Sequence, residues 1–256
     1  MLGKFEGVYE ICQNCGYLQA RDPFWLQESY QNAITKSDIG TVSRCMVNSV
    51  YTRLIAGLYL RSKGPFLDYG AGYGMFVRFM RDHGYDFWYY DSYCQNLFAE
   101  DFAVQADERR SFELLTSFEV FEHMVDPMRD LDEMLRFSKR VIFTTELLPE
   151  PMPSMGQWWY HGPDHGQHVG FFSIRTLEWV AKKHSLCFAT NGKNFHYLGK
   201  AAINGRVFRF LTHARAESLL RLCRRPSLLM TDLDIRRAKS FARVGYNAKP
   251  PSVAGN

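Results

Sequence analysis

The sequence predicts an α/β fold with a doubly wound, mostly parallel sheet. Short apolar runs, suited to strands buried on both faces, alternate with segments whose apolar residues recur at helical spacing. A glycine-rich turn, DYGAGYGM, joins one of these strands to the next helix. With 256 residues, of which 46% are hydrophobic, the chain is long enough for one such domain with appended segments.

Three stretches differ in pattern. Residues 1–60 contain a Cys-x-x-Cys pair and two predicted helices between Phe24 and Leu60, which we interpret as a helical lid. Residues 61–200 alternate strand and helix and form the central domain, with an insertion at 148–172 that is rich in proline, glycine and aromatic residues. Residues 201–256 form a basic helical extension followed by a flexible tail.

The elements of the central domain follow from these patterns in chain order. The predicted strands are FLDY, DFWYYD, a weak strand near Phe102, FELLTSFEV, RVIFTTEL and the paired run CFATNGKNFHYLG. The predicted helices are MFVRFMRDH, which Gly84 ends, a short helix over Gln95–Asp101, Pro127–Phe137 and Ile174–His184.

Composition limits the classes of function. The net charge of +4 is too small to indicate a nucleic-acid partner. The sequence has no apolar run long enough to span a membrane and no signal-peptide pattern at its N-terminus. We therefore expect a cytoplasmic protein with free cysteines.

The closely spaced cysteine pair lies in ICQNCG. Cys12 and Cys15 have the spacing of half a zinc ribbon, but a closed structural zinc site needs four ligands and no second pair follows. The pair is therefore either two unligated thiols or the remnant of a zinc lobe, and the sequence leaves both open.

The glycine-rich turn predicts a ligand site. Glycines between a strand and a helix let the backbone approach a ligand and leave the first helical amides free to hold negative charge. A dinucleotide fingerprint needs Gly-x-Gly-x-x-Gly, but position 75 is methionine and the third glycine is Gly74. A nicotinamide dinucleotide is therefore disfavoured, and a tight structural turn is the alternative.

Two aspartates flank this βαβ unit. Asp68 precedes the first glycine by two residues, where a carboxylate would repel a pyrophosphate but attract an ammonium group. Asp91 ends the second strand, where it can accept hydrogen bonds from ribose hydroxyls. An ammonium group and a ribose occur together in S-adenosylmethionine, so that cofactor is expected to bind Asp68, Gly70, Ala71, Gly72, Gly74 and Asp91.

From Phe66 to Leu198 the chain resembles the class I S-adenosylmethionine-dependent methyltransferases. The resemblance rests on the order of strand, aspartate, glycines, helix, strand and aspartate, and on SFEVFEHMVDP, which looks like the family's Glu-x-x-Glu-His segment. It implies a Rossmann-like methyltransferase fold with seven strands, one of them antiparallel, and an S-adenosylmethionine-binding domain over residues 61–200.

The same resemblance implies roles for individual residues. Glu119 would lie beside the cofactor, while Glu122 and His123 would orient the turn or reach the substrate. An apolar side chain usually covers the adenine after the third strand, and Phe102 is the candidate.

The insertion at 148–172 is interpreted as the acceptor site. Trp158, Trp159 and Tyr160 offer flat apolar faces with polar edges, which suit a sugar ring or an aromatic acceptor; core packing is the alternative. Because a hydroxyl acceptor must lose a proton, a histidine with a pKa near neutrality is the best base. His168 is the first candidate and His165 the second, and a capping or core-packing role is the alternative for each. Zinc binding by His161, His165 and His168 is disfavoured, because their spacing is irregular and they lie in a loop.

GQHVGFF also resembles the histidine-containing loop of bacterial sugar methyltransferases. In the sugar C-methyltransferases that loop typically has Glu-His, whereas this chain has Gln167 and His168, which favours transfer to a hydroxyl and places Gln167 near the substrate. The upstream segment with Tyr30, Asp38 and Arg44 resembles the lid of a branch found among cell-surface polysaccharide genes. That resemblance implies that Tyr30 closes on the methionine end of the cofactor.

The leading hypothesis is O-methylation of a sugar or glycan precursor. Methylation of a nonsugar small molecule is the near alternative. A noncatalytic cofactor-binding protein and, less favoured, a nicotinamide-dependent oxidoreductase are the alternatives from other classes.

Overall fold

A computed structural model of the chain describes residues 1–31 and 39–244. Asp38 of the predicted lid and the predicted tail beyond residue 244 lie outside the described residues. The strands are β1 (Tyr9–Ile11), β2 (Leu18–Ala20), β3 (Phe66–Tyr69), β4 (Phe87–Tyr90), β5 (Leu114–Phe118), β6 (Arg140–Thr144), β7 (Gly170–Phe171), β8 (Cys187–Thr190) and β9 (Phe195–Gly199). The helices are α1 (Leu26–Ser29), α2 (Thr41–Leu54), α3 (Met75–Asp82), α4 (Pro127–Phe137), α5 (Ile174–Lys183), α6 (Gly205–Leu211) and α7 (Leu229–Val244).

Six strands form the central sheet in the order β4-β3-β5-β6-β9-β8. The pairs β4·β3, β3·β5 and β5·β6 are parallel, and β9 runs antiparallel to both of its neighbours. Apolar side chains cover both faces of this sheet, with α2, α3 and α6 on one side and α4 and α5 on the other. The predicted α/β fold with a mostly parallel sheet is therefore correct.

The described sheet has six strands rather than the predicted seven. The weak strand near Phe102 is reduced to one parallel bridge between Tyr89 and Ala103, and the predicted helix over Gln95–Asp101 is only a 3₁₀ turn at Glu100–Phe102. The residues that follow, QADERRS, are polar and offer no alternating apolar side chains to continue a strand.

A second, three-stranded sheet joins the N-terminal segment to the insertion. The β1–β2 hairpin pairs with β7 in the antiparallel direction, so that Leu18 lies opposite Phe171. Leu18, Phe171 and Tyr160 are buried together beneath it. The sequence did not predict this hairpin, which forms because Leu18 and Phe171 bury each other across it. Of the two helices predicted between Phe24 and Leu60, the first is the four-residue α1 and the second is the fourteen-residue α2.

The cysteine pair occupies the turn of this hairpin. Cys12 is exposed, and the backbone amides of Cys15 and Asn14 lower the pKa of its thiol. Cys15 is buried, and its carbonyl oxygen accepts a hydrogen bond of 2.9 Å from the Thr176 hydroxyl at the start of α5. Within residues 1–31 and 39–244, no set of three or more metal-binding side chains includes either cysteine.

The C-terminal extension consists of α6, a 3₁₀ run at Ala214–Cys223, and α7. Asp232 in α7 is buried and accepts hydrogen bonds of 2.9 Å from both Nε and an Nη of Arg81, and a third of 2.8 Å from Arg78. This ion pair fastens α7 to α3. No helix of the described chain is long and apolar enough to cross a membrane.

We expect Asp232→Asn to lower the free energy of unfolding by about 3 kcal/mol, because the buried Arg81 would lose the partner that neutralises it. Asp86, which bonds Arg81 at 2.7 Å, keeps the loss at the lower end of the range for such pairs. Urea denaturation measures the change, and Glu178→Gln, at an exposed position of α5, is the matched control. Equal stability of the two variants would show that the ion pair does not hold α7.

His196 predicts a dependence of stability on pH. Its ring is buried, with Nδ1 2.8 Å from the Thr190 hydroxyl and Nε2 3.0 Å from the Thr145 carbonyl, and burial lowers its pKa to about 4. Between about pH 6.5 and 4 the unfolded chain therefore binds a proton that the folded chain excludes, and stability falls as the pH falls. Relative to His196→Gln, the wild-type protein should lose about 2 kcal/mol between neutral pH and about pH 5 in urea denaturation. A pH-independent difference between the two proteins would contradict this assignment.

Candidate active site

A cavity of about 1310 Å³ opens at the carboxyl ends of β3, β4 and β5. Its walls come from the glycine-rich turn, the segments after β4 and β5, the start of α2, and the histidine loop of the insertion. Among the predicted site residues it is lined by Asp68, Gly70, Ala71, Gly72, Asp91, Glu119, Trp159, Tyr160, His165, Gln167 and His168.

Asp91 fastens the glycine-rich turn to the end of β4. Its Oδ2 accepts a hydrogen bond of 2.8 Å from the Gly72 backbone N–H, and its Oδ1 accepts bonds of 2.8 Å from the N–H groups of Tyr93 and Cys94. Each carboxylate oxygen has more than one lone pair, so capacity remains for further donors from a ligand. Asp91 thus orders this edge of the cavity as well as facing it.

Asp68 is buried at the end of β3. Its Oδ1 accepts a hydrogen bond of 2.6 Å from the Thr116 hydroxyl of β5. Burial raises the pKa of its carboxyl to about 7, partly offset by the Thr116 bond. A cationic group in the cavity would favour the ionised form, as expected for a carboxylate that meets an ammonium.

The glycines of the turn serve different purposes. Gly70 has φ +73°, and a Cβ there would lie 2.6 Å from Val120, so a larger residue fits neither the backbone conformation nor the space. Gly74 precedes α3 with φ +80°, and a Cβ would meet the Asn96 side chain at 2.2 Å. Gly74 does not line the cavity, so its role here is the close packing of Asn96.

Glu119 follows β5 in a strained backbone conformation. Its φ is +55°, which is uncommon for a residue with a side chain, and its N–H donates a hydrogen bond of 2.9 Å to the Thr144 hydroxyl. The Glu119 carboxylate pairs with Arg44 of α2, with 3.7 Å between Oε2 and Nε. Such strain is stored at functional sites more often than elsewhere.

Tyr30 forms a wall between the N-terminal segment and the cofactor edge. Its hydroxyl lies 3.0 Å from Nδ1 of His123, and its ring stacks on that of Tyr93 with 5.6 Å between centroids. All three side chains line the cavity. Tyr30 therefore lies against the turn after Asp91.

Four contacts from the N-terminal segment fix the histidine loop. The Tyr9 hydroxyl donates to the His168 carbonyl at 2.9 Å, and Trp25 Nε1 donates to the Gly166 carbonyl at 2.8 Å. Gln167 Nε2 donates to the Ser29 carbonyl at 2.9 Å, and the Ala20 N–H bonds the Val169 carbonyl. Gln167 lines the cavity but is buried, and its side-chain amide holds the loop against the N-terminal segment.

His168 has a defined tautomer. Nδ1 lies 2.6 Å from the Tyr160 carbonyl oxygen, which can only accept, so Nδ1 carries the proton and Nε2 of the neutral ring has a free lone pair. Burial, together with nearby His123, holds the pKa of His168 well below its ordinary value. The ring is therefore neutral at physiological pH, as a proton acceptor must be. His165 packs against it with 4.7 Å between ring centroids.

Glu122 lies behind this pair of histidines. It is fully buried, and neither carboxyl oxygen has a hydrogen-bond partner among the described residues. Burial, with the nearby Glu119 carboxylate, raises the pKa of Glu122 to about 8. Donor atoms of Glu122, His123 and His168 lie within 4.8 Å of one another, so these three residues could hold a divalent cation. The sequence, which offered only the spacing of the loop histidines, did not predict this group.

The aromatic run of the insertion is divided between core and cavity. Trp159 is 73% exposed at the mouth of the cavity, and Tyr160 is buried in its wall. Trp158 packs against Tyr160 and Phe171 and does not line the cavity. Trp159 is therefore the aromatic face available to an acceptor.

Phe102, the predicted cover of the adenine, does not line the cavity. Its ring is buried 3.6 Å below the Arg81 guanidinium and edge-on to Trp88. Because the third strand ends after one bridge, the chain turns Phe102 into the core instead of toward the carboxyl edge.

The sequence did not predict two features of the cavity, which are the lining residue Tyr93 and the Arg44–Glu119 ion pair. It also did not predict that the carboxyl of Glu122, buried behind the cavity wall, has no hydrogen-bond partner among the described residues. A signal existed for the last of these: the apolar neighbours of Glu122 in VFEHM indicate a buried carboxyl.

Comparisons with known proteins identify the family of the chain. A family model described as a methyltransferase domain matches residues 47–186, more than half of the chain. No curated protein matches. The plantazolicin methyltransferase structure, which holds a substrate analogue and S-adenosylhomocysteine, is 11% identical with a TM-score of 0.52, over 77% of this chain and 87% of that one.

Two further solved structures are similar at lower TM-scores. A didemethyltoxoflavin methyltransferase of Burkholderia thailandensis is 14% identical, with a TM-score of 0.48, over 76% of this chain and 97% of that one. A magnesium protoporphyrin IX methyltransferase of Synechocystis is 14% identical, with a TM-score of 0.45, over 68% of this chain and 90% of that one. Because the family model covers more than half of the chain, the protein belongs to the methyltransferase domain family and is a methyltransferase.

Proposed function

We propose that the protein transfers the methyl group of S-adenosylmethionine to a hydroxyl of a sugar or glycan precursor, with His168 as the general base. The observation that carries this proposal is a single cavity, lined at one end by Asp68, Gly72 and Asp91 and at the other by His168 and Trp159. S-adenosylmethionine, when bound, supplies a methyl group on a positively charged sulfur.

The residues at the first end fit this cofactor. Asp68 is a buried carboxylate whose side chain accepts one hydrogen bond, from Thr116, among the described residues, so it retains acceptor capacity for an ammonium group. Asp91 retains acceptor capacity for ribose hydroxyls beyond its three backbone bonds. Gly70, with no room for a side chain beside Val120, brings backbone close to the ligand.

The residues at the second end fit a hydroxyl acceptor with a broad, partly apolar ring. Trp159 offers an exposed aromatic face, on which the C–H face of a sugar packs well. His168 accepts the hydroxyl proton at Nε2, while its Nδ1–H stays bonded to the Tyr160 carbonyl and fixes the ring. His165, also in the wall, is the second candidate for the base.

Two alternatives share the same fold. A nonsugar acceptor fits an aromatic platform and a histidine equally well. A noncatalytic cofactor-binding protein would need neither a neutral histidine nor an open mouth beside Trp159.

A second role for His168 follows from its position beside Glu122 and His123. The three side chains would bind a divalent cation, and that cation would activate the acceptor hydroxyl.

We expect Asp91→Asn to weaken the binding of S-adenosylmethionine and S-adenosylhomocysteine by about 10- to 100-fold, because a carboxylate acceptor is replaced by an amide that also donates. Calorimetric titration measures the dissociation constants, with NADH as the control ligand. Asp107→Asn, at an exposed position, is the matched control variant. Binding of NADH alone would refute the assignment of the glycine-rich turn.

We expect His168→Asn to lower turnover by about 10²- to 10⁴-fold and to leave cofactor affinity unchanged. The asparagine N–H can still donate to the Tyr160 carbonyl, so the loop keeps its anchor while Nε2 is lost. Nucleotide sugars are screened for an active acceptor by the mass of one added methyl group. His165→Asn is the comparison, and unchanged turnover of His168→Asn would remove His168 as the base.

Chelation separates the two roles of His168. If Nε2 is the base, treatment of the enzyme with EDTA leaves turnover unchanged. If Glu122, His123 and His168 hold a cation, EDTA abolishes turnover and added Mg²⁺ or Zn²⁺ restores it.

A further inference from the structure

Basic residues are concentrated at one end of the chain. Residues 201–256 contain 11 of the 31 Lys and Arg residues but only three of the 27 Asp and Glu residues, so this stretch has a net charge of +8 and the rest of the chain −4. The methyltransferase chemistry described above uses none of these basic residues. Such asymmetry indicates a separate electrostatic role for the extension.

Five arginines in α6, in the adjoining 3₁₀ run and directly after that run are exposed. In the part of the chain that the structure describes, their guanidinium groups form no ion pair. These are Arg206, Arg209, Arg215, Arg221 and Arg224. By contrast, Arg225 donates to the Ser62 carbonyl and lies 3.9 Å from the Tyr85 ring centroid, so it is used in the fold. Glu217 is the one acidic residue between positions 205 and 225.

Large apolar side chains are exposed among these arginines. Phe210 is 53% exposed and Val207 38% exposed, and with Arg206 and Arg209 they form the outer face of α6. In the 3₁₀ run, Leu222 is 64% exposed beside Arg221. The outer surface therefore alternates positive charge with apolar area, which is typical of segments that lie in a membrane interface.

The inner face of the same segment is firmly anchored. Phe208 and Ala216 are fully buried in the core, and Leu211 is nearly so. Helix α6 contacts β8, and the 3₁₀ run contacts α2. The segment therefore already buries a different apolar face in the core, and the exposed arginines and apolar residues lie on the opposite, solvent-facing side.

We propose that α6 and the 3₁₀ run Ala214–Cys223 bind the surface of an anionic lipid bilayer. The arginines bind phosphate headgroups, while Val207, Phe210 and Leu222 enter the boundary between headgroups and acyl chains. A nucleic-acid duplex would use the arginines but would give no reason for the exposed apolar residues between them, which is why the bilayer is favoured. This proposal goes beyond methyl transfer and does not depend on it.

The test is sedimentation of the purified full-length protein with lipid vesicles. We expect binding to vesicles of equal parts phosphatidylcholine and phosphatidylglycerol, little binding to phosphatidylcholine alone, and weaker binding as salt is added. The double variant Arg206→Gln, Arg209→Gln should bind about tenfold or more weakly, because each basic residue near an anionic surface contributes severalfold to affinity.

Two further variants sharpen the test. Lys182→Gln with Lys183→Gln removes the same charge from an exposed part of α5 and should bind like the wild-type protein. Phe210→Ser keeps every charge and should lower affinity severalfold, since apolar area is lost from the interface. Unchanged thermal unfolding and cofactor titration establish that each variant is folded.

Three results would overturn the proposal. The first is no binding to phosphatidylglycerol vesicles even at low salt. The second is an equal loss of binding in the α5 control, which would reduce the effect to net charge. The third is tight binding of a duplex DNA probe that the Arg206, Arg209 variant loses while Phe210→Ser retains it, which would give this surface to nucleic acid instead.

Discussion

Parallel pairing of β3, β4 and β5 is the constraint on which the active site depends. Parallel strands end at the same edge of a sheet, so the residues that follow them converge although they are far apart in sequence. Asp68, Asp91 and Glu119 each stand at such an end and line one cavity. Asp91 then fixes this edge, because its carboxylate accepts the N–H of Gly72 from the neighbouring turn as well as two N–H groups of its own turn.

A second sheet provides the other half of the site. The β1–β2 hairpin pairs with β7, and the Tyr9 hydroxyl and Trp25 indole donate to carbonyls of the histidine loop. The Val169 N–H in turn donates to the Glu122 carbonyl, which brings His168 beside Glu122 and His123. The N-terminal segment therefore supports the histidine loop, and its Tyr30 links that side of the cavity, through His123, to Tyr93 in the turn after Asp91.

Burial controls the charges of the ionisable groups in the wall of this cavity and directly behind it. Asp68 and Glu122 are carboxyl groups whose pKa is raised by desolvation, and His168 is an imidazole whose pKa is lowered by it, so all three favour their neutral forms. A cationic ligand is accommodated because it restores the ionised form of a nearby carboxylate. The basic residues that make the whole chain positive lie elsewhere, mainly in the C-terminal extension, and do not oppose this arrangement.

The sequence by itself determined the βαβ unit, the methyltransferase class and most of the residues that line the cavity at the ends of β3, β4 and β5. These depend on local patterns: an apolar strand, spaced glycines and a carboxylate at each strand end. Only the tertiary structure decided that Trp159 and not Trp158 lines the cavity, that Phe102 belongs to the core, and that Glu122, His123 and His168 meet. Those outcomes depend on contacts between distant segments, such as the pairing of Leu18 with Phe171, and on the loss of a third strand after one bridge. No local spacing encodes such contacts, because they are fixed by which surfaces bury one another.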